Sequence, residues 1–381
     1  MITDSVRQHH RSPLDRPRHV DVPISRVDVS AYLIPTDGPE SDGTLEWHQT
    51  VMVLVEAQGG NLSGCGYSYA SYGTAQIIKE LLADVVTGHD ALAVEDSWRA
   101  MTHAVRNVGR PGAAAMAISA VDAALWDLKA KLLNLPLVTL LGSVRDAVPV
   151  YGSGGFITYD AARLERQLGG WAAEGIPRVK MKIGRDAAED VTRVAAARRA
   201  IGDRAELFVD ANGGYSAKEA LRVAEAIVDY GVTWLEEPVS SDDLDGLHLL
   251  RDRVPAPIDV AAGEYGFDPF YFRKMLDAQA VDVLQADATR CGGVTGFLKA
   301  AALCEAQPLP LSAHCAPSLH LHPCCAAGPV RHIEYFYDHV RIEQMLFDGA
   351  IRPVNGLLQP DRSRPGLGLE FKQSDAQRYA V

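Results

Sequence analysis

From Val148 onward, short apolar runs alternate with polar loops and amphipathic stretches, the rhythm of strand, loop, helix and strand. The runs are Val148–Gly152, Arg178–Ile183, Leu207–Ala211, Val232–Glu236, Ile258–Ala262, Val281–Ala286, Leu309–Ala313 and His332–Phe336. Most start 23 to 30 residues apart, which is room for a parallel strand and its crossover helix and too much for a hairpin. Ser216-Ala-Lys-Glu219 reads as a capping box where the helix after the third run should begin. Eight such units predict a compact β/α barrel, in somewhat fewer residues than the usual ~250.

The preceding stretch has a different pattern. Arg26–Ile34 and Val51–Glu56 read as antiparallel strands, followed by helices near Ala75–Val86, Val94–Val108 and Ala113–Leu133. In the last of these, Ile118, Val121, Leu125, Leu128 and Leu132 recur at three- and four-residue steps, so one stripe should face a core. The expected organisation is a disordered tail over 1–20, an α+β capping domain over 21–145 and a barrel over 146–345. The Gly/Pro-punctuated segment 346–381 is too short to fold alone and is expected to pack back on the cap.

Composition narrows the function classes. The 381 residues are 47% hydrophobic and 23% charged, ordinary for a globular fold. Lys+Arg 37 against Asp+Glu 49 gives a net charge of −12 with no long basic block, which argues against nucleic acid and anionic membranes as partners. The most apolar stretch, Ala113 to Leu128, is broken by Asp122 and Asp127, so no membrane span is expected. The N-terminus lacks the apolar core of a secretory signal. Six cysteines with Cys324 and Cys325 adjacent and no CxxC do not make a disulfide framework, and a reducing cytoplasm fits.

In a barrel of this kind the strand C-termini converge on one mouth, where reacting groups gather. Polar residues end successive runs there: Lys180 and Lys182, Asp210 and Asn212, Glu236 and Glu237, Glu264, Asp287, His314 and Glu334. Asp210, Glu236 and Glu264 lie 26 and 28 residues apart, one per repeat, which places three carboxylates at one height on neighbouring strands. Such acids repel unless a cation neutralises them, and hard oxygen ligands suit Mg²⁺. Asn212 is placed to contact substrate or support the ligands. Lys180 and Lys182 share a strand face, so each should depress the other, leaving one as a base near neutrality and one to hold a substrate carboxylate. His314, with Asp287 on the neighbouring strand to fix its tautomer, could act from the other side. Glu237 points away and is expected in an ion pair within the barrel wall. The segment His314 to Cys325 is dense in soft ligands but matches no structural zinc spacing, and His320 and His322 are expected in the loop or helix that follows, with His320 near the site. Tyr67, Tyr69 and Tyr72 in GCGYSYASYG read either as a mobile lid over the substrate or as an exposed hairpin turn.

In this order K-x-K, D-x-N, EEP, G-E, the aspartate of QADATRCGG, SAH and H-I-E resemble the enolase superfamily, mandelate racemase subgroup. AVDAALWDLKAK, from Ala120 to Lys131, and PGLGLE, from Pro365 to Glu370, resemble its capping helix and closing segment. The resemblance implies a modified TIM barrel of (β/α)7β type with an α+β cap, and one Mg²⁺ on Asp210, Glu236 and Glu264. It also implies Lys182 as one base, His314 with Asp287 as the other, Lys180 against the substrate carboxylate and Glu334 donating to an enediolate oxygen. Glu334 can donate only if its surroundings raise its pKa. The leading expectation is a lyase that dehydrates a sugar acid to a 2-keto-3-deoxy acid. A racemase, epimerase or lactone cycloisomerase using the same two bases is the alternative, and a silent sugar-acid-binding protein a third. The acidic and hydroxyl groups Asp37, Glu40, Asp42, Tyr67 and Tyr69 of the cap favour a polyol substrate, and barrels of this resemblance are expected to form homo-oligomers.

Overall fold

The computed structural model describes residues 21–381, so the expected tail over 1–20 lies outside the described residues. Three antiparallel strands come first, β1 (Ile24–Ser41), β2 (Glu46–Gly59) and β3 (Leu62–Tyr69). The first two extend well beyond the expected runs, and β3 takes the place of both the lid and the exposed turn read from its glycines. Those glycines let β3 lie on the helix α1 (Ala113–Leu132). A Cβ on Gly64 would stand 2.3 Å from Ala124 O and Leu128 N, and one on Gly66 2.4 Å from Ala120 O and Ala124 N. Strand and helix backbones therefore touch across small residues, a contact with no hydrophobic signature in the sequence.

Eight parallel strands then close into a barrel: β4 (Val148–Gly154), β5 (Arg178–Lys182), β6 (Glu206–Asp210), β7 (Val232–Glu236), β8 (Asp259–Ala262), β9 (Val283–Ala286), β10 (Leu311–Ala313) and β11 (Val330–Phe336). The ring is closed by β11 on β4, with Ile333 opposite Val150. Seven helices connect them: α2 (Ala161–Ala173), α3 (Ala187–Ile201), α4 (Ala217–Ile227), α5 (Leu244–Arg253), α6 (Pro269–Asp277), α7 (Gly293–Ala306) and α8 (Pro317–Ala326). The Ser216–Glu219 capping box is formed at the start of α4. A last helix, α9 (Tyr337–Leu346), follows β11.

Strand alternation builds the barrel interior in layers. Tyr151, Phe208, Trp234 and His332 form an aromatic floor, with the Phe208 and Trp234 rings stacked at 5.1 Å and Tyr151 edge-on to His332 at 4.8 Å. Two residues further along the same strands come Ser153, Asp210, Glu236 and Glu334, so the period that buries the aromatics also stacks the polar layer directly above them.

The two aspartates that interrupt the apolar run of α1 dock the cap. Asp122 accepts hydrogen bonds from Thr295 Oγ1 (2.6 Å) and Thr295 N (2.9 Å), and Ser119 Oγ accepts from Gly292 N and Gly293 N, all in the first turn of α7. Asp127 accepts from Cys65 N on β3 and from Leu367 N in the C-terminal segment. That segment touches barrel and cap alike: Leu357–Leu358 pairs with β4, and Val381 N donates to Ala31 O on β1. Most of α1 is buried, more than a single stripe would require, because it is packed between β3 and α7. Among the described residues no helix is long and apolar enough to cross a membrane.

Two outcomes are expected. Gly64→Ala forces a Cβ against backbone that cannot move aside, and thermal unfolding should report a loss of about 1–3 kcal/mol, or a protein that does not fold. Burial pushes the Asp122 carboxyl up to about 7, against the Thr295 hydrogen bonds that favour its charge. Its folded pKa then lies above the unfolded value of about 3.9, so this contribution to stability is full below pH ~4 and lost as pH rises through about 7. In melting curves the advantage of wild type over Asp122→Asn should shrink between those pH values; a constant difference would contradict the assignment.

Candidate active site

Asp210 ends β6, Glu236 ends β7, and Glu264 follows β8 after Gly263. At Gly263 the backbone turns through φ +133°, and a Cβ there would stand 2.2 Å from Gln285 O, so only glycine brings the chain back to the rim at this point. One oxygen from each carboxylate lies within 4.8 Å of the others, and all three residues are buried. Glu264 Oε2 is buried without a well-directed hydrogen bond, although His314 Nε2 stands 3.2 Å away. Three hard oxygen donors with one oxygen unsatisfied fit a hard divalent cation such as Mg²⁺. Burial, with Asp210 alongside, pushes Glu236 up to about 8 even against Lys180, a measure of how much positive charge the cluster requires.

Both expected lysines reach this cluster. Lys180 Nζ lies 2.6 Å from Glu236 Oε1, 2.8 Å from Glu334 Oε1 and 3.3 Å from Asp210 Oδ2. Lys182 Nζ lies 2.5 Å from Asp210 Oδ2 and 3.0 Å from Asn212 Oδ1. The expected mutual depression is not what the structure shows. Burial works to lower both, but Glu236 and Glu334 around Lys180, and Asp210 beside Lys182, outweigh it and hold both above the ordinary lysine value. Lys180 is enclosed beneath the cavity, its ammonium 5.4 Å over the Tyr151 ring, whereas Lys182 and Asn212 line the cavity wall.

On the opposite arc of the barrel, His314 Nδ1 lies 2.8 Å from Asp287 Oδ2, and Asp287 Oδ1 accepts from Thr289 N. Burial disfavours the imidazolium, but Cys315, Glu264 and Glu334 outweigh it and raise the His314 pKa well above its usual value. Glu334 corrects another expectation. Burial would raise it, yet Lys180, His314 and Lys182 pull it well below the usual carboxylate range, and Ser153 Oγ donates to its Oε1 at 2.6 Å.

The cavity above these groups has a volume of about 340 Å³, and its cap wall is formed by Leu45, Trp47, Gln49, Thr50 and Val51 together with Ala70. Tyr69 lines it and stacks on His339 at 3.5 Å, and burial pushes His339 down to about 3, a neutral ring. Other expected contacts face elsewhere. Tyr67 is wholly buried and donates to Glu343 Oε1 (2.6 Å) on α9. His320 lies behind Asp287, its Nε2 accepting from Ala288 N, and is off the cavity wall. Asp37 is held by Arg163 and Tyr337, and Glu40 by Trp47 Nε1, leaving only Asp42 and Tyr69 of the five polar cap residues on the wall. Glu237 makes no ion pair among the described residues; its Oε1 is buried without a partner, and burial with Glu264 and Asp210 nearby pushes its pKa well up. His322 bridges Val138 N and Leu367 O, so it is committed to packing α8 and does not face the cavity.

The sequence reading missed Arg290, Tyr265 and Cys315, all on the cavity wall. Arg290 Nη1 stands 3.3 Å from Glu264 Oε1, and Cys315 Sγ stands 3.2 Å from His314 Nε2. Both stood next to residues already singled out, three after Asp287 and one after His314. Asn212, Glu237, Cys315 and Ala316 all have positive φ, so strained backbone clusters where the strands end at the mouth.

Comparison with known proteins agrees with this geometry. The family model described as mandelate racemase / muconate lactonizing enzyme, N-terminal domain, matches residues 30–142, and the one described as enolase C-terminal domain-like matches 163–376. The chain is 33% identical to a 3,6-anhydro-alpha-L-galactonate cycloisomerase of Streptomyces coelicolor over 92% of this chain and 98% of the relative. It is 31% identical to an L-talarate/galactarate dehydratase of Salmonella typhimurium over 93% and 90%. A mandelate racemase/muconate lactonizing enzyme-like protein of Rubrobacter xylanophilus superposes with TM-score 0.93 at 53% identity, over 94% of this chain and all of that one. A Streptomyces coelicolor racemase solved with bound magnesium superposes with TM-score 0.88 at 31% identity, over 94% and 100%.

Removal of one ligand oxygen should weaken the cation site. Calorimetric titration of Asp210→Asn with Mg²⁺ is expected to show at least ~10-fold weaker binding than wild type, equal to about 1.4 kcal/mol; unchanged affinity would place the ion elsewhere.

Proposed function

The chain belongs to the mandelate racemase / muconate lactonizing enzyme family of the enolase superfamily, and on that premise we propose that it is a Mg²⁺-dependent sugar-acid dehydratase. The observation that carries this is the placement of Lys182 and His314 on one cavity, on opposite arcs of the barrel, beside three clustered carboxylates. A bound Mg²⁺ on Asp210, Glu236 and Glu264 would supply the positive charge that an enediolate needs. Lys180, fixed below by Glu236 and Glu334, adds a second positive charge to the floor of the site.

With a cation held on Glu264, one of the charges that raise the histidine's pKa would be neutralised, and His314, oriented by Asp287, is the base that takes the proton alpha to the carboxylate, leaving the C–H electron pair in the enediolate. The pair then forms the C2–C3 double bond as the C3–O bond breaks, and the imidazolium returns its proton to the departing hydroxyl as water. The enol takes a proton at C3 and gives up its C2 hydroxyl proton to solvent, leaving the 2-keto-3-deoxy acid. Lys182, bonded to Asp210 and Asn212, holds a proton on the opposite face of the same carbon.

The cavity wall supports a single carboxylate on the substrate. Among the described lining residues, Lys182, Arg290 and His314 all stand at the barrel mouth beside Asp210, Glu264 and Asp287, and the cap contributes no Lys or Arg. A second carboxylate would enter the cap side without a charged partner. The mostly apolar surface of Leu45, Trp47 and Val51 also favours a second reading, cycloisomerisation of a ring-containing sugar acid. Both cycloisomerase and dehydratase relatives align along nearly the whole chain.

A panel of aldonates, anhydro-aldonates and aldarates incubated with the Mg²⁺-loaded protein separates these readings. Formation of 2-keto acid is expected, with kcat/KM for monoacids at least ~10-fold above diacids, the worth of one unmatched charged hydrogen bond. Solvent-deuterium incorporation at C2, or ring opening without keto acid, would mark the isomerase instead, and a diacid preference would contradict the charge reading. His314→Ala should lower kcat by ~10²–10⁴-fold while Mg²⁺ affinity in calorimetry holds; retention of full turnover would remove His314 as base.

A further inference from the structure

Beside the carboxylate cluster, a second group of ligand atoms gathers in the cavity wall: His314 Nε2, Cys315 Sγ and Glu334 Oε2, all buried and mutually within 4.8 Å. Sγ to Nε2 is 3.2 Å, Sγ to Oε2 3.4 Å and Nε2 to Oε2 3.7 Å. A tetrahedral ion with Zn–S near 2.3 Å and Zn–N and Zn–O near 2.0–2.2 Å requires edges of about 3.3–3.6 Å between such ligands. The three atoms thus already form one face of such a tetrahedron to within a few tenths of an ångström. We propose that this face is a second metal site, for one thiophilic divalent ion of the Zn²⁺ class, distinct from the oxygen-only cluster that suits Mg²⁺.

The neighbouring contacts leave these atoms available. His314 Nδ1 is committed to Asp287, so Nε2, which also stands 3.2 Å from Glu264 Oε2, is the nitrogen that can turn its lone pair to an ion. Glu334 Oε1 is taken by Ser153 and Lys180, while among the described residues Oε2 meets Cys315 N, Cys315 Sγ and His314 Nε2. Cys315 and Ala316 have φ of +53° and +38°, a strained pair of non-glycine residues that turns the chain directly after the catalytic histidine. His314 and Cys315 both line the cavity, so an ion can enter from the substrate side and keep its fourth position open there. On binding, the Sγ–H bond breaks, its proton passes to solvent and a sulfur–metal bond forms, with no change of oxidation state. The ion also occupies the nitrogen that would accept the substrate proton, so it blocks turnover. Soft sulfur and nitrogen select it against Mg²⁺, so excess Mg²⁺ does not displace it.

The test uses the full-length, Mg²⁺-saturated protein titrated with Cd²⁺, reading the ultraviolet thiolate-to-cadmium charge-transfer band, a signal that needs no substrate and is independent of the reaction assigned above. One band per chain is expected, saturating at one equivalent and accompanied by loss of activity. It should vanish in Cys315→Ala and in the near-isosteric Cys315→Ser, either of which suffices if the other does not fold by thermal melting. It should persist in Cys291→Ala, whose thiol lies off this cavity. No band in wild type under saturating Mg²⁺, or an equal band in a folded Cys315 variant, overturns the proposal.

Discussion

Negative charge buried at the barrel mouth is the constraint around which the rest of the structure is arranged. Asp210, Glu236, Glu264, Asp287 and Glu334 are all buried there. With ligand oxygens of the metal cluster within 4.8 Å of each other, each pair of ionised carboxylates repels by at least roughly 3.5 kcal/mol at an effective dielectric near 20. Lys180, Lys182, Arg290 and His314 offset much of this, each within 3.3 Å of at least one of these acids. A divalent cation supplies what remains, and the same surplus of positive charge is what a substrate enediolate would draw on. The electrostatics that makes the clustered carboxylates costly by themselves is therefore also what would serve the chemistry.

The scaffold makes such a cluster tolerable by rigidity. Phe208, Trp234, Tyr151 and His332 pack immediately beneath it, and Trp234 Nε1 donates to Glu236 Oε2 at 2.9 Å, so the carboxylates stand on a floor that cannot relax away from them. The cap is held to the barrel just as firmly. Asp122 and Ser119 satisfy the first turn of α7, a helix whose own cap residue is glycine and offers no side chain for the purpose. On the cap side the cavity is lined by side chains of β2, of the loop before it and of the end of β3.

The two arcs of the site differ in how tightly they are bound in place. Lys182 is anchored on a strand by Asp210 and Asn212, whereas His314 lies just past β10 at the start of a strained turn, between Asp287 on one side and Glu264, Cys315 and Glu334 on the other. An imidazole surrounded by acids and a thiol can carry a proton, and it can also take a soft metal. Catalytic competence and sensitivity to such an ion arise from the same neighbours.

Much of this was legible in the sequence. Strand-to-strand spacing required a β/α barrel, and placing one acid per repeat at Asp210, Glu236 and Glu264 required a cation, because both are consequences of local periodicity along one chain. What pairs with what was not legible. That Glu334 is pulled below the usual carboxylate range, that both lysines are held above their usual pKa, and that Glu237 finds no ion pair among the described residues all depend on groups contributed by strands remote in sequence. Tyr67 and His320 turned away from the cavity for the same reason, each claimed by a hydrogen bond to a distant element. Strand β3 escaped notice because Gly64 and Gly66 are there to be approached by α1, and an approach of backbones leaves no pattern of side chains to read. Periodicity belongs to the chain and can be read along it, whereas the direction of a side chain and the charge it carries are set by neighbours that only the closed barrel brings within a few ångströms.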